Sequence, residues 1–168
     1  MTAHKIMLLG EIGVGKTSIV QRLVFDRFDF AYKPTIGVDV YRYEVPPTVG
    51  RSPMSLIIWD TDGNLSDLMF RHVYMKAASA AMIVGDLTRR DTLDTMVRLA
   101  QGFTAELPGR HITFLLNKQD LVQSPDMIGL PKMIAERSRD TKMTSAMSGK
   151  NIQSAFMEAA DVILRRGH

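Results

Sequence analysis

Gly10-Glu11-Ile12-Gly13-Val14-Gly15-Lys16-Thr17 is a complete G-x-x-x-x-G-K-[ST] element, and its surroundings decide the fold. Upstream, Lys5 to Leu9 is a short apolar run closed by Gly10, which reads as a buried strand. Downstream, Lys16 to Phe25 carries Ile19, Val20, Leu23 and Val24 at helical spacing. A glycine-rich turn between a strand and a helix is built to hold phosphate. Glycines let consecutive backbone N–H groups turn inward around an anion. The helix starting near Gly15 aims its positive end at the same point. Lys16 adds a point charge for the β- and γ-phosphates, and the Thr17 hydroxyl is a candidate Mg²⁺ ligand. The candidate phosphate-binding residues are Gly13, Val14, Gly15, Lys16, Thr17 and Ser18.

Beyond this element the chain alternates. Val38 to Val45 reads as a strand, Pro46 to Pro53 as a turn, and Leu56 to Trp59 as a second strand forming a hairpin with the first. Leu65 to Lys76 is expected as a helix. Strands then follow at Ala80–Val84, Ile112–Leu116 and Thr141–Ser145, and helices at Thr92–Leu107, Leu130–Ser138 and Asn151–Arg165. Such alternation argues a mostly parallel sheet with helices on both faces, the hairpin adding one antiparallel strand. A length of 168 residues, about 45% of them apolar, suits a single domain over residues 1–168 with a real core. The twelve methionines are read as core filler.

Composition narrows the function. A net charge of +3, with no like-charge run or basic–aromatic interleaving, argues against nucleic-acid binding. The absence of cysteine excludes disulfides, Cys-ligated zinc, a thiol nucleophile and a prenyl or palmitoyl anchor in this chain. It fits a reducing cytoplasm, the expected location. No signal peptide, myristoylation glycine or membrane span is read from the sequence, and the four histidines lack metal-ligand spacing.

Two further stretches carry chemistry. Leu56 to Trp59 runs into Asp60-Thr61-Asp62-Gly63, and an apolar strand ending in an acid places a carboxylate near a phosphate-bound metal, with Asp60 the candidate. Strand Ile112–Leu116 runs into Asn117-Lys118-Gln119-Asp120. The Asp120 carboxylate offers two acceptors to a base with adjacent N–H and NH₂ donors, which describes guanine and not adenine. Asn117 is expected to meet ring acceptors or to tether neighbouring loops, and the Lys118 stem to lie along the base face. Thr144-Ser145-Ala146 follows the last strand, where a backbone N–H of Ser145 or Ala146 would reach the guanine carbonyl.

Taken together, G-E-I-G-V-G-K-T, Y-K-P-T-I-G-V-D-V, I-I-W-D-T-D-G, N-K-Q-D and T-S-A resemble the Ras superfamily of small GTPases, closest to its Rab branch. The resemblance implies a P-loop α/β fold with a six-stranded sheet, one strand antiparallel, and about five helices. It implies GTP and GDP binding with Mg²⁺, and switching between two states. It assigns Thr35 to Mg²⁺ and the γ-phosphate, with Thr17 and Asp60 completing the metal set. Gly63 is given to the γ-phosphate, Phe28 to the edge of the guanine and Tyr32 to a place over the phosphates. The catalytic set it implies is Lys16, Thr35, Gly63 and Asn64. Effectors are expected on Ile36, Gly37, Val38, Asp39 and the region of Trp59, with exchange and activating factors as further partners.

The departures from the family pattern shape the expected activity. Switch II of the family reads D-T-A-G-Q-E; here it is Asp60-Thr61-Asp62-Gly63-Asn64-Leu65. The catalytic glutamine position holds Asn64, the alanine position Asp62, the small third loop position Ile12, and the lysine after Ser145-Ala146 is Met147. The chain ends Arg165-Arg166-Gly167-His168 without lipidated cysteines, so no direct lipid anchor is expected, and such a member would suit a prokaryote. The expectation is a switch that hydrolyses GTP slowly; the alternative is a nucleotide-binding interaction module with little or no turnover.

Overall fold

The computed structural model describes residues 2–61, 63 and 73–167. Six strands form one sheet: β1 (Thr2–Gly10), β2 (Val38–Glu44), β3 (Met54–Thr61), β4 (Ala78–Asp86), β5 (His111–Asn117) and β6 (Thr141–Met143). Their spatial order is β2-β3-β1-β4-β5-β6. β2 runs antiparallel to β3, and every other pair is parallel. The hairpin and the mostly parallel sheet read from the sequence are thus both present.

Hydrophobic patterning explains why the inner strands sit where they do. β4 and β5 are buried along their whole length, as strands covered on both faces must be, whereas no residue of β2, at the edge, is fully buried. Four α-helices stand among the described residues: α1 (Lys16–Phe25), α2 (Arg90–Glu106), α3 (Lys132–Ala135) and α4 (Ile152–Arg166). On one face Ile19 and Val20 of α1 and Phe156 and Ile163 of α4 pack against Ile6, Leu8 and Leu56. On the other, Leu93, Met96 and Phe103 of α2 and Ile134 of α3 pack against Met7, Leu9 and Phe114. Met7, Met54, Met82 and Met96 are fully buried, in the core-filling role expected of them.

Two readings of the sequence need adjustment. The helix expected over Leu130–Ser138 is only Lys132–Ala135, followed by a one-turn 3₁₀ helix at Ser138–Asp140. Pro131 starts it with a fixed φ of −53°, no side chain caps it, and Ile134 is its one buried residue. The strand expected over Thr141–Ser145 stops at Met143: Thr144 N–H still donates to Leu116 O of β5 at 2.8 Å, but Ser145 N–H turns to Lys150 O at 3.2 Å in the loop that follows. The fifth expected helix, Leu65–Lys76, lies for the most part outside the described residues, as do Asp62 and Asn64.

The carboxyl ends of β1, β3, β4 and β5 point the same way. In an open α/β sheet that edge is where loops gather into a crevice.

Candidate functional site

The loop between β1 and α1 is shaped by close backbone approaches. A Cβ on Gly10 would sit 2.5 Å from Val84 O, and Gly15 has φ +104° with a Cβ position 2.4 Å from Asn117 Nδ2. Neither position admits another residue without displacement. Gly15 caps α1 without a side-chain hydrogen bond, leaving the first amides of the helix open to a ligand. The carbonyls from Gly10 to Val14 each receive a side-chain donor. Lys16 Nζ donates to Gly10 O at 2.9 Å and Glu11 O at 3.0 Å. Arg89 Nη2 donates to Ile12 O at 2.7 Å, Lys118 Nζ to Gly13 O at 2.9 Å, and Asn117 Nδ2 to Val14 O at 3.0 Å.

Beside the loop lie two hydroxyls and a carboxylate. Thr17 Oγ1 is 2.6 Å from Thr35 Oγ1 and donates to Asp60 Oδ2 at 2.5 Å. Asp60 is fully buried, and its Oδ1 has no hydrogen-bond partner among the described residues. Burial pushes its pKa up to about 6, against the Thr17 hydrogen bond and the Lys16 charge. A buried carboxylate with an orphaned oxygen, beside two hydroxyl oxygens, is an all-oxygen donor set of the kind a hard divalent cation takes. These residues fit Mg²⁺ as a group.

At the other end of the cleft, Lys118 adopts a left-handed conformation (φ +64°) that turns its side chain back toward the loop. Its ammonium also contacts Asp86 Oδ2 at 2.7 Å. Burial pulls the Asp86 carboxyl upward in pKa, but the Lys118 and Thr88 hydrogen bonds outweigh it and hold the group below its usual range. Asn117 is a tether: its Oδ1 accepts from Thr144 Oγ1 at 3.1 Å and from Ala146 N at 3.3 Å. Of the two readings of Asn117, ring contact or loop tether, the geometry displays the second. Ser145 Oγ donates to Asp120 Oδ1 at 2.7 Å, holding an exposed carboxylate at the rim. Arg22, on α1, donates to Ala146 O at 2.9 Å and Met147 O at 2.5 Å, fixing the loop after β6.

These pieces surround one cleft of about 1080 Å³. Its wall includes Gly13, Gly15, Lys16, Thr17, Ser18, Phe28, Tyr32, Thr35, Gly63, Asn117, Lys118, Asp120 and Ala146, so most of the residues singled out from sequence converge. Val14, Asp60 and Ser145 stand behind the wall as buried supports. Phe28 is half-buried and meets Phe30 edge-on at 4.9 Å, while Tyr32 is 65% exposed at the mouth. Gly63 lies directly on the phosphate loop: a Cβ there would be 2.6 Å from Ile12 N. Outside the cleft, Ile36 and Val40 are exposed, at 88% and 54%, and Trp59 is half-buried beneath the Lys5 ammonium. Arg22, Asp86 and Arg89 were not singled out. Arg22 and Arg89 act across long sequence separations on backbone carbonyls, which leave no local pattern. Asp86 accepts from the Thr88, Arg89 and Lys118 side chains and, as an acid ending an apolar strand like Asp60, carries the one usable signal of the three.

The family model described as Ras family matches residues 5–165. The chain is 32% identical to Ras-related protein Rab-31 of Rattus norvegicus over 158 residues, covering 90% of this chain and 78% of that protein. It is 31% identical to Ras-related protein RABA4a of Arabidopsis thaliana, covering 90% and 68%. Against human Ras-related protein Rab-4B the identity is 28% over 165 residues, covering 96% and 76%.

Proposed function

Because the chain belongs to the Ras family of small GTPases, near the Rab branch, and is therefore a GTP-binding switch, we propose that it works with Mg²⁺ and turns GTP over slowly. The observation that carries this reading is the single cleft with a donor-lined phosphate loop at one end and the Asp120 carboxylate at the other. Asp120 selects guanine by pairing with its N–H and NH₂ donors. The amides from Gly13 to Thr17 and the Lys16 ammonium take the phosphates. Thr17, Thr35 and Asp60 hold Mg²⁺, which when bound neutralises charge on the phosphate oxygens.

In hydrolysis a water oxygen forms a bond to the γ-phosphorus while the bond to the β–γ bridging oxygen breaks, giving GDP and phosphate. Catalysis there is mostly positioning. Asn64 carries the amide of glutamine on a side chain one carbon shorter, about 1.5 Å less reach. A misplacement of ~1 Å is enough to cost about 10²-fold. Ile12 adds bulk at the cleft wall where it meets Gly63. The intrinsic rate is therefore at or below the ~10⁻⁴ s⁻¹ order of an unassisted small GTPase. The Ile12–Gly63 contact also favours the second reading, a nucleotide-bound interaction module with little turnover.

Partners read the nucleotide state on Ile36, Gly37, Val38, Asp39 and the neighbourhood of Trp59, where apolar surface is left open. A cytoplasmic location goes with this reading. The deciding measurement is single-turnover phosphate release with and without Mg²⁺, for wild type and Asn64→Gln. We expect a slow, Mg²⁺-dependent wild type and a faster glutamine variant. A wild type releasing phosphate within seconds, or one indifferent to chelation, would refute the proposal.

A further inference from the structure

Three consecutive carbonyls of the phosphate loop, those of Ile12, Gly13 and Val14, are held by three side chains from elsewhere in the chain: Arg89, Lys118 and Asn117. No cis peptide occurs among the described residues. In a planar trans peptide the C=O of one residue and the N–H of the next point in opposite directions. Holding the Ile12 carbonyl on one side of the loop therefore turns the Gly13 N–H to the other, and Gly13 lines the cleft. The same relation links Lys118 to the Val14 N–H and Asn117 to the Gly15 N–H. Two of these side chains belong to the motif at the base end. Arg89 does not: it precedes α2 and is not part of the cleft wall.

We propose that Arg89 is a positioning residue for phosphate binding, setting the Gly13 N–H toward the phosphates by gripping the Ile12 carbonyl. The guanidinium suits the task because it serves two acceptors at once. Nη2 bonds Ile12 O at 2.7 Å while Nε reaches Asp86 Oδ2 at 3.3 Å. The same Asp86 oxygen takes the Lys118 ammonium at 2.7 Å, so one buried carboxylate anchors two of the three grips. Asp86 is itself fixed by Thr88, whose N–H and hydroxyl donate to Oδ1 at 2.8 and 2.6 Å. A second contact keeps the α2 segment on the loop: Thr95 Oγ1 donates to Glu11 Oε2 at 2.9 Å. A lysine at position 89 would have one compact head and no fork to span both acceptors.

This role rests on the guanine-nucleotide reading, and the test separates the two. Release of fluorescently labelled GDP and IDP is followed in wild type, Arg89→Ala and Arg89→Lys, with the Gly13 amide observed by ¹⁵N NMR in the GDP state. IDP lacks the exocyclic amine of guanine, so the ratio of the two release rates reports the base end alone. Arg89→Ala should release both nucleotides about tenfold faster, the order expected for a lost charge-assisted hydrogen bond. The GDP-to-IDP ratio should stay unchanged, and the Gly13 amide resonance should move. Arg89→Lys should fall between, and serves as the test if the alanine variant does not fold. Wild-type release rates, a changed ratio, or an unmoved Gly13 resonance would each overturn the role of Arg89. A wild type that holds neither nucleotide would overturn the function itself.

Discussion

Gly15→Ala should damage nucleotide binding through one identifiable collision. Gly15 has φ +104° and ψ 24°, outside the regions an alanine occupies comfortably. Forcing a Cβ-bearing residue there costs of order 1–3 kcal/mol. The new Cβ would lie 2.4 Å from Asn117 Nδ2, where non-bonded heavy atoms prefer about 3.5 Å or more. The carboxamide must retreat by roughly 1 Å, which breaks its 3.0 Å bond to Val14 O and loosens those from Thr144 and Ala146. Losing one such bond adds about 1 kcal/mol. The total, about 2–4 kcal/mol, corresponds to a GDP affinity weakened roughly 30- to 700-fold. The assay is competition against labelled GDP, run on Gly15→Ala, Asn117→Ala and the double variant. With the carboxamide already gone, alanine at 15 should cost only the backbone strain, leaving a coupling of about 1 kcal/mol between the two positions. Equal costs in both backgrounds would show that the clash with Asn117 is not the cause. Binding within twofold of wild type would refute the backbone argument as well.

Other substitutions probe separate parts of the cleft and fold. Asp120→Asn should exchange guanine for xanthine preference, because the side chain gains donors where xanthine offers an acceptor; competition by GDP and XDP reads this, and unchanged GDP preference would move base recognition elsewhere. Thr35→Ala should weaken Mg²⁺ retention with little effect on GDP held in chelator, checked by Mg²⁺ titration of nucleotide release. Burial lowers the pKa of His111 below 6.5, with the charges of Arg166, Arg137 and Arg165 adding to the effect and Asp140 opposing it. The unfolded chain therefore binds a proton first as pH falls through 6.5, and the stability contributed above that pH is lost on acidification. His111→Asn should flatten the decline in unfolding free energy below pH 6.5, and an unaltered slope would assign it to other groups.

The parts of this molecule that were legible in the sequence are those whose partners lie close in the chain. Gly10 to Thr17 announces itself because strand, loop and helix are contiguous, and Asn117 to Asp120 because the motif ends an apolar strand. Asp60 is legible as an acid ending an apolar strand and Thr35 only through the resemblance, and the structure brings both against Thr17. Arg89 and Arg22 were invisible: they bond to carbonyls 77 and more than 120 residues away, and an arginine before or within a helix reads as ordinary surface. The overlong helix at 130–138 shows a different limit. Its apolar spacing is real, but with Ile134 alone buried, burial sustains little more than one turn.

The donor-lined loop makes the nucleotide a component of the folded chain as well as its signal. Amides turned one way gather partial positive charge that packing alone must hold together, and an anion relieves it. A ligand bound by the native state and ignored by the unfolded chain adds about 4 kcal/mol at a thousandfold excess over its dissociation constant. That is comparable to what truncating Phe156 in the core to alanine would remove, about 3–5 kcal/mol. In nucleotide-rich surroundings the chain can thus carry core mutations that would unfold it when stripped. Its tolerance to sequence drift becomes a function of the guanine nucleotide pool.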